Sequence, residues 1–243
     1  MAAPRIYCPS TLQTGETLTL PAEAARHVQV LRLQPGDALT LFNGTDAQWA
    51  AVVTQMGRRD VAVTVGAAQR VSREAARAVH LWVGMPANER MDWLVEKATE
   101  LGVARITPLV TARTVLRLSG ERAQKRQAHW QAIAVAACEQ CGRNQLPVID
   151  PPQSLTEALA GLAAGPTRWV LDVSEDAQPW AHRQADLRAP TPVVVLSGPE
   201  GGLDARELAQ AKAAGFVALS LGARVLRAET AALLALGLLT AAP

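Results

Sequence analysis

The chain has 243 residues, of which 49% are hydrophobic and 19% are charged. This composition is typical of a globular protein and excludes a disordered or fibrous chain. The net charge of +2 is too small to indicate nucleic-acid binding by itself. The longest apolar run, residues 231–243, is shorter than the ~20 residues that a membrane-spanning helix needs, so we expect a buried helix there.

The N-terminal segment MAAPRIYCPS has no apolar stretch of the kind found in secretory signals, so a cytoplasmic location is expected. Three cysteines, Cys8, Cys138 and Cys141, are too few for a disulfide framework, which agrees with a reducing compartment. Cys138 and Cys141 form a C-x-x-C motif. It lacks both the preceding strand of a redox motif and the second pair of a zinc site. We therefore expect packing cysteines and predict no metal site.

Residues 5–71 alternate short apolar segments with turn signals, a pattern typical of a small β-barrel. The expected elements are a strand in TLTLP, a short helix in AEAARHVQVLR, and strands in QPGDALTLFNG, AQWAAVVTQMG and DVAVTVGAA. Residues 71–78 are polar and show neither helical nor strand periodicity, which indicates a linker. The predicted domains are therefore a β-barrel at residues 1–71 and a second domain at residues 79–243.

From residue 79 onward, buried strands alternate with longer helices. Strands are predicted in VHLWVGMP, ARITPLVT, RWVLDV, PVVVLSG and FVALSLG, and helices in ERMDWLVEKATELG and in a basic segment from Gly120 to Cys141. Continuous apolar strands are buried on both faces, which indicates an α/β domain with a parallel sheet between helices.

Basic residues cluster before and within the Gly120 to Cys141 helix. They are Arg113, Arg117, Arg122, Lys125 and Arg126. Such a cluster is most simply interpreted as a solvated helix face.

The apolar strand at residues 192–196 runs directly into the glycine-rich segment SGPEGGL. Asp204 and Glu207 then have the spacing of a capping box, which predicts the start of a helix. A glycine-rich turn at the carboxyl end of a parallel strand is a common ligand site. The loop has no lysine and Glu200 would repel a phosphate, so a nucleoside triphosphate is disfavoured. A ligand with a positive centre and a hydrogen-bonding base, such as S-adenosylmethionine, suits this loop better.

One strand later, FVALSLG is followed by ARVLRAET, in which Arg224, Arg227 and Glu229 stand between apolar residues. These three side chains either form a structural ion-pair network at a helix start or belong to a ligand site, and both alternatives stay open here. A third polar stretch, residues 139–144, follows the apolar part of the basic helix and contains a glycine stop.

These stretches make the chain resemble the RsmE family of 16S ribosomal RNA uridine-N3 methyltransferases. The matching segments follow the family's order along almost the whole chain: PRIY, RHVQVLR, FNG, KATELGV, ITPL, AACEQCGRN, SGPEGGL and LGARVLRAET. The resemblance implies a PUA-like N-terminal domain and a SPOUT-type α/β domain with a deep trefoil knot. The residues alone predict an unknotted doubly wound sheet, since knots are rare.

The resemblance also implies an activity and partners. The chain would methylate N3 of a uridine of 16S ribosomal RNA in the small ribosomal subunit, uridine 1498 in the family. The cofactor would be S-adenosylmethionine. The protein would work as a homodimer with its active site at the subunit interface.

Individual site residues follow from the resemblance by position. The cofactor pocket would be formed by Leu171, Leu196, Gly198, Glu200, Gly201, Gly202, Leu221, Gly222, Val225 and Leu226. Ala223 stands where proline is common in the family, and Met85-Pro86 replaces a more polar segment, so local loop shape is expected to differ.

For catalysis we hypothesise that Arg224 or Arg227 stabilises negative charge on the uracil oxygens. Glu229 would orient the arginine or accept the N3 proton. Arg143 and Asn144, from either subunit, would grip the target nucleotide, and Arg5, His27 and Arg32 of the barrel would contact RNA phosphates. For His27, a structural hydrogen bond is the alternative.

Two other classes of function are weighed against this hypothesis. A Rossmann-type oxidoreductase is disfavoured because no G-x-G-x-x-G follows the early strands and no acidic residue stands about 20 residues further on. A non-catalytic RNA-binding protein, in which the α/β domain only dimerises, is the second alternative.

Overall fold

The computed structural model describes residues 3–87, 89–116, 118–183, 186 and 190–241. Arg117 of the predicted basic cluster lies outside these residues. The chain divides into two compact units. The first comprises Met1–Glu74 and Val135–Leu146, and the second comprises Ala75–Ala134 and Pro147–Pro243. The domain boundaries expected from the sequence, at residues 71 and 79, stay a prediction.

The first unit contains a sheet whose described strands have the order β1-β3-β4-β5-β2. Its elements are β1 Arg5–Tyr7, β2 Thr17–Thr19, α1 Ala22–Val30, β3 Ala38–Phe42, β4 Ala47–Met56 and β5 Val61–Arg70. β1 pairs with β3 in parallel, and the other described pairs are antiparallel. Alternate side chains of β5, such as Val63 and Val65, face one side of the sheet and share a core with Val28 of α1.

The second unit is built on a sheet in which every strand pair among the described residues is parallel. Its strands are β6 Val79–Gly84, β7 Arg105–Val110, β8 Val148–Ile149, β9 Gln153–Ser154, β10 Thr167–Leu171, β11 Gln178–Pro179, β12 Val193–Ser197 and β13 Val217–Ser220. Their order is β11-β13-β10-β12-β6-β7-β8, with β9 also paired to β7.

Helices cover both faces of this sheet, as the sequence predicts. They are α2 Glu89–Glu100, α4 Leu155–Ala160, α5 Ala205–Ala213 and α6 Ala228–Thr240, together with α3 Gly120–Cys141 as far as Ala134, and a 3-10 turn at Trp180–Arg183. Strand β12 shows the arrangement: Val193 and Val195 belong to one core cluster, and Val194 and Leu196 belong to another. Because successive side chains of a strand point to opposite faces, both faces of β12 are packed.

Two local predictions are confirmed at helix boundaries. The capping box at the start of α5 is formed, since the Asp204 side chain accepts from Glu207 N at 2.7 Å and Glu207 Oε2 accepts from Asp204 N at 3.0 Å. Residues 231–240 of the C-terminal apolar run belong to α6, a helix with most of its leucines buried. No helix in the described ranges is long and apolar enough to cross a membrane.

Cys8 and Cys138 are buried and Cys141 is half-buried, which agrees with the predicted packing role. The predicted linker, residues 71–78, has no regular secondary structure, but its side chains are engaged. Arg77 is buried, and a carboxylate oxygen of Glu74 accepts from Arg143 Nε at 2.9 Å.

Candidate active site

A cavity of about 550 Å³ lies at the carboxyl ends of β10, β12 and β13 in the second unit. It is lined by residues 171–173, 197–203 and 219–222, by residues 224–228, and by Leu208, Ala231, Arg90 and Arg113. The carboxyl ends of parallel strands meet at one edge of a sheet, which explains how loops distant in sequence come together. The volume is in the range of small-molecule sites, ~300–1,000 Å³.

The loop after β12 folds so tightly that glycine is required at its first turn. A Cβ atom on Gly198 would lie 2.8 Å from the carbonyl carbon of Gly202 and from the backbone nitrogen of Leu203. A Cβ on Gly84, at the end of the neighbouring strand β6, would lie 2.4 Å from Cδ of Pro199. The sequence therefore permits close backbone packing that forms one wall of the cavity.

Glu200 carries an anionic charge on this wall. Its Oε1 atom accepts hydrogen bonds from Ala87 N at 3.0 Å and from Arg90 Nη1 at 3.2 Å. Burial alone would raise the pKa of Glu200, but the backbone hydrogen bonds and the Arg90 guanidinium lower it below its usual range. The carboxylate is therefore ionised at neutral pH and disfavours an anionic ligand beside it.

The segment after β7 forms hydrogen bonds to the glycine-rich loop after β12 and to the helix that follows it. Arg113 Nη1 donates to the carbonyl oxygen of Gly201 at 2.6 Å, and Ala112 N donates to Glu207 Oε1 at 2.7 Å. These bonds connect the glycine-rich loop and the start of α5 to a third loop of the sheet edge.

The loop after β13 supplies positive charge. Gly222 has a φ of +118°, a conformation that favours glycine. Arg224 and Arg227 follow it, line the cavity and are exposed. Within the described parts of the chain, neither arginine has a carboxylate at ion-pair distance. Val225 between them is 82% exposed, a large value for an apolar side chain at a cavity.

Glu229 has a different environment from the two arginines that precede it. Its side chain is buried in the first turn of α6 and is not part of the cavity lining. Oε1 lies 4.0 Å from Arg90 Nε, and Oε2 has no hydrogen-bond partner among the described residues. The three polar residues of this motif therefore form no ion-pair network with each other, and the carboxylate faces Arg90.

The structure brings together the predicted cofactor residues with one exception. The residues that line the cavity are Leu171, Gly198, Glu200, Gly201, Gly202, Leu221, Gly222, Val225 and Leu226. Leu196 is fully buried inside β12, in the core behind the loop.

Sequence reasoning missed Arg90 and Arg113. Both follow strands of the parallel sheet, β6 and β7, so the rule that ligands bind at the carboxyl edge could have found them.

The predicted RNA residues lie in the first unit, and most of them are bonded to protein groups. Arg5 donates from Nη2 to Asn144 Oδ1 at 2.7 Å and to the carbonyl oxygen of Arg143 at 2.9 Å. Arg143 forms an ion pair with Glu74, and Asn144 Nδ2 donates to the carbonyl oxygen of Val71 at 2.9 Å. Both Arg143 and Asn144 are buried, at 4% and 1% exposure. A nucleotide could contact them only by replacing these bonds.

The other two predicted RNA residues are more accessible. His27 is partly exposed, and its Nδ1 lies 3.1 Å from Glu139 Oε2, an arrangement that agrees with the structural alternative. Arg32 is exposed and has a φ of +58°. It is thus an exposed basic side chain at the end of α1.

Comparisons with known proteins bear on both units. The sequence profile of an RNA methyltransferase domain matches residues 73–240, and that of an RNA methyltransferase PUA domain matches residues 20–66. Ribosomal RNA small subunit methyltransferase E of Mycobacterium bovis is 32% identical over 245 residues, covering 98% of this chain and 91% of its own. The protein of the same name from Synechocystis is 31% identical, with coverage of 93% and 73%.

Two solved structures are similar over nearly the whole chain. A methyltransferase of Legionella pneumophila, in complex with the cofactor SAM (S-adenosylmethionine), is 38% identical with a TM-score of 0.94, covering 100% of this chain and 98% of its own. Ribosomal RNA small subunit methyltransferase E from Neisseria gonorrhoeae, bound to S-adenosylmethionine, is 36% identical with a TM-score of 0.90, covering 97% and 96%.

Proposed function

The chain belongs to the RNA methyltransferase family of ribosomal RNA small subunit methyltransferase E, and we propose that it methylates N3 of a uridine in 16S ribosomal RNA. The methyl donor is S-adenosylmethionine. The observation that carries the proposal is the cavity at the carboxyl edge of the sheet, because its walls are the two family motifs SGPEGGL and LGARVLRAET.

The residues of the cavity fit S-adenosylmethionine by their chemistry. The tight turn at Gly198 makes one wall out of backbone, which can bond a nucleoside without long side chains. The ionised Glu200 suits a ligand with a positive centre and disfavours a polyphosphate. Residues 198–202 and 221–226 would hold the cofactor, which supplies an activated methyl group on its sulfonium when bound.

The protein also has to make N3 of the uracil accessible and remove its proton. N3 lies on the Watson–Crick edge, so the base has to be unpaired or flipped out of its stack before it can react. N3 also carries a proton at neutral pH, which passes to Glu229 or to solvent water, and negative charge spreads onto the carbonyl oxygens as that proton leaves. Arg224 and Arg227 are exposed cations on the cavity wall, and we assign to them the stabilisation of this charge.

Glu229 has two possible roles in this scheme. It can accept the N3 proton directly, or it can act through Arg90, whose Nε is 4.0 Å away. The burial of Glu229 behind the cavity lining favours the second role. Arg90 is held by Glu200 as well, so two carboxylates fix its guanidinium at the cavity.

We further propose a homodimer with the active site at the subunit interface. Two strongly exposed valines, Val173 and Val225, line the cavity at 73% and 82% exposure. Trp93 of α2 and Leu234 of α6 are also exposed, although these helices pack against each other within the chain. The resemblance to the family implies that a second copy of the chain is the partner that covers these side chains.

A deep trefoil knot is part of the same proposal. It is what membership of this family implies. The substrate is proposed to be the small ribosomal subunit in the cytoplasm, and the target is proposed to be the family's uridine 1498. In the first unit, Arg32 and His27 are proposed to contact the RNA, and Arg5, Arg143 and Asn144 to shape the surface that does so.

The test uses radiolabelled S-adenosylmethionine with small ribosomal subunits that lack the methyl group. Arg224→Ala and Arg227→Ala should each lower turnover at least tenfold, while calorimetry finds cofactor affinity within about twofold of wild type. Arg206→Ala, an exposed arginine on α5, is the matched control and should be fully active. Full activity of both cavity variants would contradict the assigned role. Absence of methyl transfer by the wild type would contradict the function itself.

A further inference from the structure

The first three turns of α3 form one side of a second concavity, which we call the α3 groove. Its volume is about 390 Å³. It is lined by Leu116, Leu118, Arg122, Lys125, Arg126 and His129. The spacing of the four polar side chains, at positions i, i+3, i+4 and i+7, places them on one face of the helix. Three members of the basic cluster noted in the sequence, Arg122, Lys125 and Arg126, therefore line one groove.

The charges of the α3 groove are only partly balanced. Lys125 Nζ lies 2.7 Å from Glu121 Oε1, but both side chains are about three-quarters exposed, so this pair is weak. His129 Nε2 lies 2.9 Å from Asp92 Oδ2. Arg122 and Arg126 have no carboxylate within 4.0 Å in the portion of the chain that the structure describes. At least these two guanidiniums face the groove without a counter-ion from the described chain.

Two cations of the first unit that the sequence suggested for RNA, Arg5 and Arg143, contrast with this groove, whereas the third, Arg32, is exposed. Arg143 is buried and forms an ion pair with Glu74. Arg5 Nη2 donates to the carbonyl oxygen of Arg143 and to Asn144 Oδ1. RNA phosphates are bound by exposed Arg and Lys side chains whose N–H groups are not already bonded to other protein groups. The α3 groove has such side chains, arranged in a concave surface rather than scattered.

The position of the groove along the chain connects it to the cavity. Arg113 lines the cavity and donates to Gly201, and Leu116 lines the groove only three residues later. Consecutive Cα atoms are about 3.8 Å apart, so the Cα atoms of Arg113 and Leu116 are at most about 11 Å apart. The groove is therefore close enough to the cavity for a nucleotide neighbouring the bound uridine to reach it.

We propose that the α3 groove binds phosphate groups of the RNA strand that delivers its uridine to the cavity. This inference rests on the proposed function and adds to it a second RNA surface, separate from the first unit. Guanidinium groups suit the role because their planar forks donate two hydrogen bonds to a phosphate, and they keep their charge at any physiological pH. Leu116 and Leu118 provide an apolar wall beside the charges.

The experiment compares Arg122→Gln/Arg126→Gln with a matched control, Arg206→Gln/Lys212→Gln, which removes two exposed cations from α5. Affinity for a 16S ribosomal RNA fragment is measured from 50 to 200 mM salt. Each phosphate contact to a single strand contributes about 0.7 to the slope of log affinity against log salt concentration. The groove variant should therefore lose about 1.4 from that slope and bind several-fold more weakly at low salt, while the control keeps the wild-type slope.

A second variant and two further measurements identify the cause. Arg122→Lys/Arg126→Lys keeps the charges and should recover most of the slope. Cofactor affinity by calorimetry and turnover at saturating subunit concentration should be unchanged in the glutamine variant, because its defect lies in RNA binding.

Equal slopes for the glutamine variant and the wild type would overturn the proposal. A changed sedimentation coefficient with an unchanged slope would overturn it too, because the groove would then be a protein interface. If the wild type binds RNA through the groove but transfers no methyl group, the groove stands and the proposed activity falls.

Discussion

The Nε atom of Arg90 lies 4.0 Å from Oε1 of Glu229, a buried carboxylate that does not reach the cavity surface. Arg90 itself lines the cavity and also donates to Glu200. The carboxylate that the sequence suggested as a direct catalyst is thus in contact with a cation that the sequence did not suggest. This relationship makes the role of Glu229 measurable.

If Glu229 acts through Arg90, the effects of replacing the two residues should not add. We expect Arg90→Gln and Glu229→Gln each to lower kcat/KM by about 10- to 100-fold, which corresponds to about 1.4–2.8 kcal/mol. The double variant should be no worse than the poorer single variant, a non-additivity typical of residues in contact. Steady-state kinetics of the four proteins measures this. Additive losses would indicate instead that Glu229 reacts with the uracil independently of Arg90.

The glycine-rich loop leads to a prediction about cofactor affinity. Gly198→Ala puts a Cβ within 2.8 Å of backbone atoms of Gly202 and Leu203, so the loop has to open. We expect the dissociation constant for S-adenosylmethionine to rise more than tenfold in calorimetry. The matched control is Gly161→Ala, at a helix end with a φ of −87° and only ordinary contacts to the new Cβ, and its affinity should match wild type. Wild-type affinity in Gly198→Ala would show that this wall does not touch the cofactor.

A buried polar network around Asp150 predicts how stability depends on pH. Burial alone would raise the pKa of Asp150, but hydrogen bonds from His80, Arg105 and Thr107 outweigh it and lower the pKa well below its usual value. A carboxylate with a lowered pKa in the folded state stabilises the fold above about pH 4, the range of its unfolded pKa. This stabilisation is lost as the pH falls further, toward the folded pKa.

Asp150→Asn should therefore reduce the unfolding free energy at pH 7 by about 1–3 kcal/mol, because it removes the charge that these donors face. The variant should also lose less stability than the wild type between pH 5 and pH 3. Urea unfolding at several pH values measures both effects. Identical acid sensitivity in the two proteins would contradict a role for this carboxylate.

The proposed dimer predicts a connection between assembly and activity. Trp93→Asp/Leu234→Asp places charges on two exposed apolar positions of α2 and α6. We expect a shift from dimer to monomer in sedimentation velocity and a parallel loss of methyl transfer. Val30→Asp, at an exposed position of α1 in the first unit, serves as the control and should remain a dimer. A fully active monomer would contradict an active site shared between subunits.

The parts of the fold that the sequence predicts are those governed by local rules. The capping box of Asp204 and Glu207 needs only a spacing of three residues, and the apolar strand β12 needs only a run of β-branched side chains. The strands β8 and β9 have two residues each, too short for any periodicity, and their pairing with β7 fixes them instead.

The parts of the site that the sequence could not supply depend on distant partners. In the sequence, Arg143 and Asn144 resemble exposed polar residues after a helix. In the structure both are buried and donate hydrogen bonds to Glu74 and Val71, some seventy positions earlier. Arg90 is similar, since Glu200 and Glu229 reach it only because three strands end at one sheet edge. Side-chain burial and pairing of this kind follow from the topology and not from the local pattern.

The central claim is tested most directly by locating the methyl group. Small ribosomal subunits that lack the modification are incubated with the protein and S-adenosylmethionine, and the 16S ribosomal RNA is digested and analysed by mass spectrometry. We predict one new 3-methyluridine per subunit, at a single position. A methyl group on another atom or another base, or RNA that gains no methyl group, would contradict the proposed function.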